Sequence, residues 1–331
     1  MNRALKSVVT LAVGVFVSSI ALGANAPVSV FEDFRFDPLA RGWSNYGETN
    51  LFAWNATNQN LEVTWDSSRP NSYFYKRLTR ALSRSDDISL YFDFRLQDIA
   101  IGTTTNKPYT FQMAIGLLNF QDATNGGFLR GTGVDSPNLF EFDYFPDSGF
   151  GASISPTIIS SNHQFATTFV LREITTNDLF RVIMRLNQED DNVSVSVYRN
   201  DETYAEGGFA FAMDFTSFTV DTIAVMSYSD EGQFPDFAGS ILAHGTVDNL
   251  IVTTGDIAIE MGLAGRFENG NWRMDFDTLP GWAYFVESTV DFADWMGLQD
   301  YTSMNYGRAT VIHTNPPPAP PRFYRVRGTR L

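Results

Sequence analysis

The alternation in Ser89–Leu96 constrains the fold more than any other stretch. It reads SLYFDFRL, with Leu90, Phe92, Phe94 and Leu96 in one phase and Ser89, Tyr91, Asp93 and Arg95 in the other. Successive side chains of an extended chain point to opposite sides, so this is a strand with one dry face. The pattern recurs. Asn138–Phe145 (NLFEFDYF) sets Phe140, Phe142 and Tyr144 against Leu139, Glu141, Asp143 and Phe145. Phe180–Leu186 alternates around Arg181 and Arg185, and Val193–Tyr198 around Ser194 and Ser196. Thr222–Tyr228 and Thr246–Thr253 read as further strands, separated from the others by turn clusters such as SSRPN, GTTTNKP, NGG, GTGVDSP and PDSGFG. A period of 3.6 is nearly absent after the first 26 residues; Lys76–Ser85 alone is expected to form a short helical or turn segment. Many short strands with one apolar face each predict an all-β chain of two stacked sheets whose dry faces meet.

Composition narrows the function classes. The 29 Phe, 13 Tyr and 6 Trp suit half-buried pleated surfaces. Lys and Arg number 23 against 38 Asp and Glu, a net charge of -15, which lacks the basic footprint that nucleic-acid binding requires. Without cysteine there is no disulfide, thiolate metal site or cysteine nucleophile. Three histidines, His163, His244 and His313, lie too far apart in sequence to suggest a metal site or a triad. At the front, Arg3 and Lys6 precede an apolar run from Val8 to Gly23 that ends in Ala24-Asn25-Ala26. That order predicts a secretory signal peptide over residues 1–26, hence an exported protein, extracellular or envelope-associated, with no membrane span in the mature chain.

The texture changes at Gly255 and Asp256. Residues 27–254 are expected to form the sandwich and 255–331 a small antiparallel β module. The second segment has strand patterns at Asn271–Phe276, Trp282–Ser288, Ala309–His313 and Arg322–Arg327, and a stiff proline-rich connection, Asn315–Pro321. Trp272, Trp282 and Trp295 are expected to supply much of its core.

Three patches carry a resemblance: Phe31–Phe34 (FEDF), Gly42-Trp43, and Gly245–Val252 (GTVDNLIV). Together with the all-β pattern they resemble concanavalin A-like lectin/glucanase sandwiches, including laminin-G-like modules. The resemblance implies a jelly-roll β-sandwich and a polysaccharide or cell-surface glycan as partner. Residues 281–327, with Trp282, Tyr284, Val286-Glu287-Ser288, Asp291-Phe292, Trp295, Asn315-Pro316-Pro317 and Arg322–Val326, resemble a small C-terminal module of secreted Verrucomicrobia-type proteins. That module brings no activity with it.

Glu141 and Asp143 are the sharpest candidate site, since residues two apart on a strand share a face. Laminarinase-like glycoside hydrolases of this fold carry E-x-D-x-E or E-x-D-x-x-E on such a strand, and Glu141 and Asp143 match the first two places. The acid/base place falls on Phe145 or Pro146, neither of which transfers a proton. The pair therefore reads as solvated carboxylates, as hydrogen-bonding contacts to a sugar, or as the remnant of a hydrolase or lyase site. Trp43, Tyr46, Trp54 and Trp65 are candidate stacking residues for a sugar, while tryptophans of a β-sandwich more often pack in the core or at strand edges. The resemblance also implies a structural Ca2+ between the first and last strands, with Asp33 and Asp248 as ligands. The combined expectation is an exported, non-catalytic carbohydrate- or surface-polymer-binding protein. A glycoside hydrolase or polysaccharide lyase, and a structural envelope or adhesion component, are the alternatives.

Overall fold

The computed structural model describes residues 27–101, 113–131, 134–147, 151–200, 202–232, 240–254, 264–278, 282–291, 293–303, 307–314, 316 and 322–330. The signal-peptide expectation, the 102–108 loop, the junction at 255–256 and most of the proline-rich connection lie outside them.

Alternation produces what it predicts: two antiparallel sheets of eight strands each. Sheet 1 runs Glu202–Ala210, Asn192–Arg199, Phe180–Asn187, Ile88–Ile101, Ile241–Thr254, Asn60–Asp66, Phe52–Asn55. The first strand, Ser29–Glu32, pairs with the last, Ile241–Thr254, matching Ser29 to Thr253 and Glu32 to Leu250. Sheet 2 runs Phe165–Thr167, Ser153–Ile159, Leu139–Phe145, Met113–Leu118, Thr219–Ser227, Ser72–Ser83, Ser44–Tyr46, with Val170–Leu171 beside Ser153–Ile159. The chain is thus all β, a two-layer antiparallel sandwich with its first and last strands side by side.

The dry faces meet as written in the sequence. Leu90, Phe92, Phe94 and Leu96 are buried, and Phe142 of sheet 2 packs edge-on against Phe92 at 5.6 Å. Burying side chains of this size contributes on the order of 2 kcal/mol each, the main driving force for closing the sandwich.

The short helix expected at Lys76–Ser85 is a correction: Ser72–Ser83 is one continuous strand. Its charged residues hid the alternation, because they are tied down at the sheet surface. Lys76 Nζ donates to the Arg41 carbonyl, Arg77 pairs with Asp221, and Arg80 pairs with Asp86. A bulge opposite Val220–Thr222 shifts the register midway.

The resembling patches have structural reasons. Glu32 of FEDF is buried and accepts hydrogen bonds from the Phe34 backbone, from Arg41 and from Trp43 Nε1 at 2.7 Å. Those contacts hold Phe34, with φ of 50°, in the left-handed region that non-glycine residues avoid. In GTVDNLIV, Gly245 leaves room for the neighbouring backbone, since a Cβ there would stand 2.4 Å from the Arg95 carbonyl. Asn249, also left-handed, makes the bulge at Asp248 and donates to Asp93 at 2.9 Å.

Residues after 263 form two three-stranded sheets. Asn271–Thr278 lies between Ala264–Glu268 and Gly307–His313; Trp282–Thr289 lies between Met296–Ser303 and Phe323–Arg330. Met274, Phe276, Trp282, Tyr284, Val286, Ala309 and Val311 join Tyr91 and Ile251 of sheet 1 in one apolar cluster. The small module therefore packs on the outer face of sheet 1. Of the three expected core tryptophans only Trp282 is buried. Trp272 stacks on Tyr324, and Trp295 lies under the Arg325 guanidinium, 3.9 Å from its ring centre.

Candidate functional site on the outer face of sheet 2

The small module packs on part of the outer face of sheet 1, and the charged pair lies on the outer face of sheet 2. Phe142 points into the sandwich, so Glu141 and Asp143 point away from it, as the alternation requires. Register builds the rest of that face. Glu141 stands between Gly116 and Thr157, and Asp143 between Ala114 and Ser155. Ala224 and Met226 follow, then Tyr75 and Tyr73, then Ser44 and Tyr46. A Cβ on Gly116 would lie 2.4 Å from the Phe140 carbonyl and 2.7 Å from Glu141 Cβ, so glycine lets the two strands close beneath the carboxylate.

The expected wet wall is not wet here. Every residue of Leu139–Phe145 is buried, on both faces. The chain over residues 119–131 folds back onto the sheet and sets Arg130 against the two acids. Its Nε donates to Glu141 at 2.5 Å and its Nη2 to Asp143 at 2.8 Å. Tyr228 donates its hydroxyl to the other Glu141 oxygen at 2.8 Å. Arg130 is 1% exposed and both carboxylates 0%. Phe128, from the same connection, stacks on Tyr228. Burial holds the Tyr228 and Tyr73 hydroxyls well above the ordinary tyrosine range, and the charge of Glu141 adds to the effect. Neither tyrosine releases a proton near neutral pH.

This arrangement is a clamp in which one guanidinium spans both carboxylates. Both oxygens of Glu141 are engaged, and no proton-transferring group stands at position 145 or 146. Retaining glycoside hydrolysis needs two carboxyl groups flanking the bond to be broken. Glu141 and Asp143, expected as solvent-facing ligand contacts, face a guanidinium instead.

The tryptophans divide. Trp43 and Trp65 are 2% and 1% exposed and belong to the sandwich core, which corrects their reading as stacking residues. Trp43 stacks flat on Phe74 at 5.1 Å. Trp54 is half-buried, and its Nε1 donates to the Phe34 carbonyl at 2.8 Å.

At the Ser44–Tyr46 edge of the same face lies a partly open aromatic shelf. Tyr46 stacks on Tyr73 at 5.4 Å, and Phe120 packs edge-on against Tyr46 and at 4.5 Å from Tyr75. The Arg77 guanidinium lies 5.0 Å from the Phe120 ring centre and pairs with Asp221 at 2.8 Å. Asp221 also accepts from the Phe120 backbone and from Thr222. Tyr46, Tyr75 and Phe120 are half-buried, and the Arg77 side chain is 50% exposed. Sequence reasoning missed Tyr75, Arg77, Phe120 and Asp221. The signal was present in Tyr73-x-Tyr75-x-Arg77, whose alternation runs into the segment read as helical or turn.

Asp33 directly follows the first strand, and Asp248 of the last strand stands opposite Asp93 in register, at the edge of a bulge. The Asp33 carboxylate meets Arg35 at 3.3 Å and Arg41 at 3.1 Å. Burial pushes the Asp248 carboxyl up to about 7, with the charges of Asp93 and Asp33 adding to it. A resident Ca2+ wants six to eight oxygens. Among the described residues no group of three or more carboxylate or histidine side chains is placed to hold an ion, and the first carboxylate already faces two guanidinium groups. The donor set fits calcium poorly.

No known protein family matches the chain, and no curated protein matches it either. Solved structures do. Peanut lectin bound to a nine-residue peptide is 11% identical, covers 70% of this chain and 98% of its own, with a TM-score of 0.45. The lectin from Bauhinia forficata in complex with GalNAc is 10% identical over 70% and 99%, with a TM-score of 0.43. Endo-beta-1,4-glucuronan lyase from the fungus Trichoderma reesei is 14% identical over 64% and 87%, at 0.36. The likeness is one of fold. At these identities it says nothing of ligands, and the functional reading rests on the chain's own residues.

Proposed function

We propose that this chain is an exported, non-catalytic protein that binds a carbohydrate or surface polymer, with the aromatic shelf of sheet 2 as its contact surface. The shelf is the observation that carries the reading. Tyr46, Tyr75 and Phe120 offer ring area to the apolar face of a sugar. Beside them the Arg77–Asp221 pair offers a donor and an acceptor for hydroxyl groups. The non-catalytic half is supported by the clamp on Glu141 and Asp143.

The test is retention on insoluble polysaccharides, β-glucan, alginate, galactan and chitin among them. Wild-type protein is expected to be pulled down by at least one, and Tyr75→Ala to weaken retention about tenfold, the loss of roughly 1.4 kcal/mol. Retention of the variant equal to wild type would remove the shelf from the account. Calcium at Asp33 and Asp248 would have to compete with Arg35 and Arg41, so EDTA is expected to leave both retention and Tm unchanged. A Tm fall on chelation that added Ca2+ restores would overturn that expectation.

A further inference from the structure

Charge is spread unevenly along this chain. Against a net charge of -15, residues 301–331 hold Arg308, Arg322, Arg325, Arg327 and Arg330 and no acidic residue. Alternation puts two of these cations on one face of the small module. In Trp282–Thr289 the side chains of Trp282, Tyr284, Val286 and Ser288 are buried, so Phe285 and Glu287 point the other way, to the module's outer surface. In the neighbouring strand Phe323–Arg330, Val326 packs on the apolar cluster, so Arg325 and Arg327 share that outer surface. Register sets Arg325 opposite Glu287 and Arg327 opposite Phe285. Arg325 Nε donates to Glu287 at 2.6 Å, and Arg327 donates to the same carboxylate from Nε at 2.9 Å and from Nη2 at 3.1 Å. Each guanidinium also lies over a ring: Arg325 Cζ is 3.9 Å from the ring centre of Trp295, and Arg327 Cζ is 5.4 Å from that of Phe285. The hydrogen bonds from Arg327 and Arg325 hold the Glu287 carboxyl below the ordinary carboxylate range, so two cations face one ionised acid. Asp300, the other acid of this sheet, stands beside Phe285 on the side away from Arg327. The Arg325 and Arg327 side chains are 39% and 55% exposed, against 12% for Glu287. Arg325 Nη1 and Nη2 and Arg327 Nη1 have no hydrogen-bond partner among the described residues.

We infer that this face of the C-terminal module is a second binding site, for the oxyanion groups of an acidic polysaccharide. The rings and Glu287 hold both guanidinium forks in place, so little side-chain freedom is lost when a ligand binds. Their uncommitted N–H groups face solvent and suit a carboxylate or sulfate ester. Two residues along a strand set the forks about 7 Å apart, so one polymer chain can meet both, and a second contact on the same chain adds avidity. A nucleic acid would need a broad basic surface, which two arginines on a chain of this net charge do not make. The inference rests on the reading of the chain as a polymer-binding protein, but not on the aromatic shelf of sheet 2.

Dextran sulfate and uncharged dextran share a backbone, and titrating the full chain with each at low salt tests this. Binding to dextran sulfate alone, lost at about 0.3 M salt, is the expected result. Arg325→Gln is expected to weaken it about fivefold or more. Arg69→Gln, which removes the same charge from an exposed position on the sandwich, is expected to leave it within about twofold. Glu287→Gln removes the competing carboxylate and is expected to tighten binding about threefold, a gain that misfolding does not produce. Tyr75→Ala is expected to leave it unchanged. No binding of dextran sulfate, equal losses in Arg325→Gln and Arg69→Gln, no gain in Glu287→Gln, or equal affinity for duplex DNA would each overturn the proposal. A loss in Tyr75→Ala as large as that in Arg325→Gln would move the contact to sheet 2 and overturn it as well. The shelf has its own test on insoluble polysaccharides, so either site can fail while the other stands.

Discussion

Arg130 decides how the sheet-2 carboxylates are read. Three charges, two negative and one positive, sit out of water within one hydrogen-bonded cluster. Removing one member of a buried ion cluster leaves the others uncompensated and costs about 3–5 kcal/mol. Arg130→Met is therefore expected to lower the urea unfolding free energy by about that much; a loss under about 1 kcal/mol would show that water already reaches the acids. The sequence placed Glu141 and Asp143 correctly on the face opposite Phe140, Phe142 and Tyr144. It did not show their partner, because Arg130 reaches them from a connection with no periodic pattern. Asp248 gives a pH prediction at the same scale. Its carboxyl titrates near 7 in the folded protein against about 4 unfolded. Between those values the native state keeps a proton that the unfolded chain has released, so this group's contribution to stability falls as pH rises through 7. Asp248→Asn is expected to gain about 1–2 kcal/mol over wild type at pH 8 and little at pH 4, after allowance for its partial exposure. Chemical denaturation at the two pH values checks this; a gain equal at both would contradict it.

At the scale of elements, strands that alternate cleanly were legible and strands held by charged contacts were not. Ile88–Ile101 announced itself through four apolar residues on one face. Ser72–Ser83 did not, since Lys76, Arg77 and Arg80 fall among its inward and outward positions and a bulge shifts the phase. That misreading began at Lys76, so it covered Arg77 and cut off the strand that puts Tyr75 on the same face. Glycine spacing is a second element-level device. Gly116 lies where two neighbouring strands close under Glu141, whereas a Cβ at Gly126 meets nothing within 4 Å. Gly116→Ala is expected to destabilise by about 2–3 kcal/mol and Gly126→Ala to stay within about 0.5 kcal/mol. Thermal melts of the two variants side by side check the difference; equal Tm values would contradict the close approach.

For the whole molecule, the resembling patches predicted the sandwich, and each proved to be a structural joint. Glu32 ties the first strand to Trp43, Gly245 admits a neighbouring backbone, and Asn249 sets the bulge. The docking of the small module on sheet 1 was not legible, because Tyr91 and Ile251 sit on a face that alternation marks as the wetter one. Truncation after Thr254 uncovers Tyr91, Ile251, Phe31 and Ile183. It is expected to raise binding of a hydrophobic dye and lower Tm by several degrees; a truncated chain as stable and dye-free as the full one would contradict the packing. The proposed role of sheet 2 is to bind a polymer without cutting it. The most direct measurement incubates the full chain with each polysaccharide, and scores retention and newly formed chain ends in the same tube. Retention that Tyr75→Ala loses and Glu141→Gln keeps, with no new ends, is the predicted result. New reducing or unsaturated ends that disappear in Glu141→Gln would contradict it.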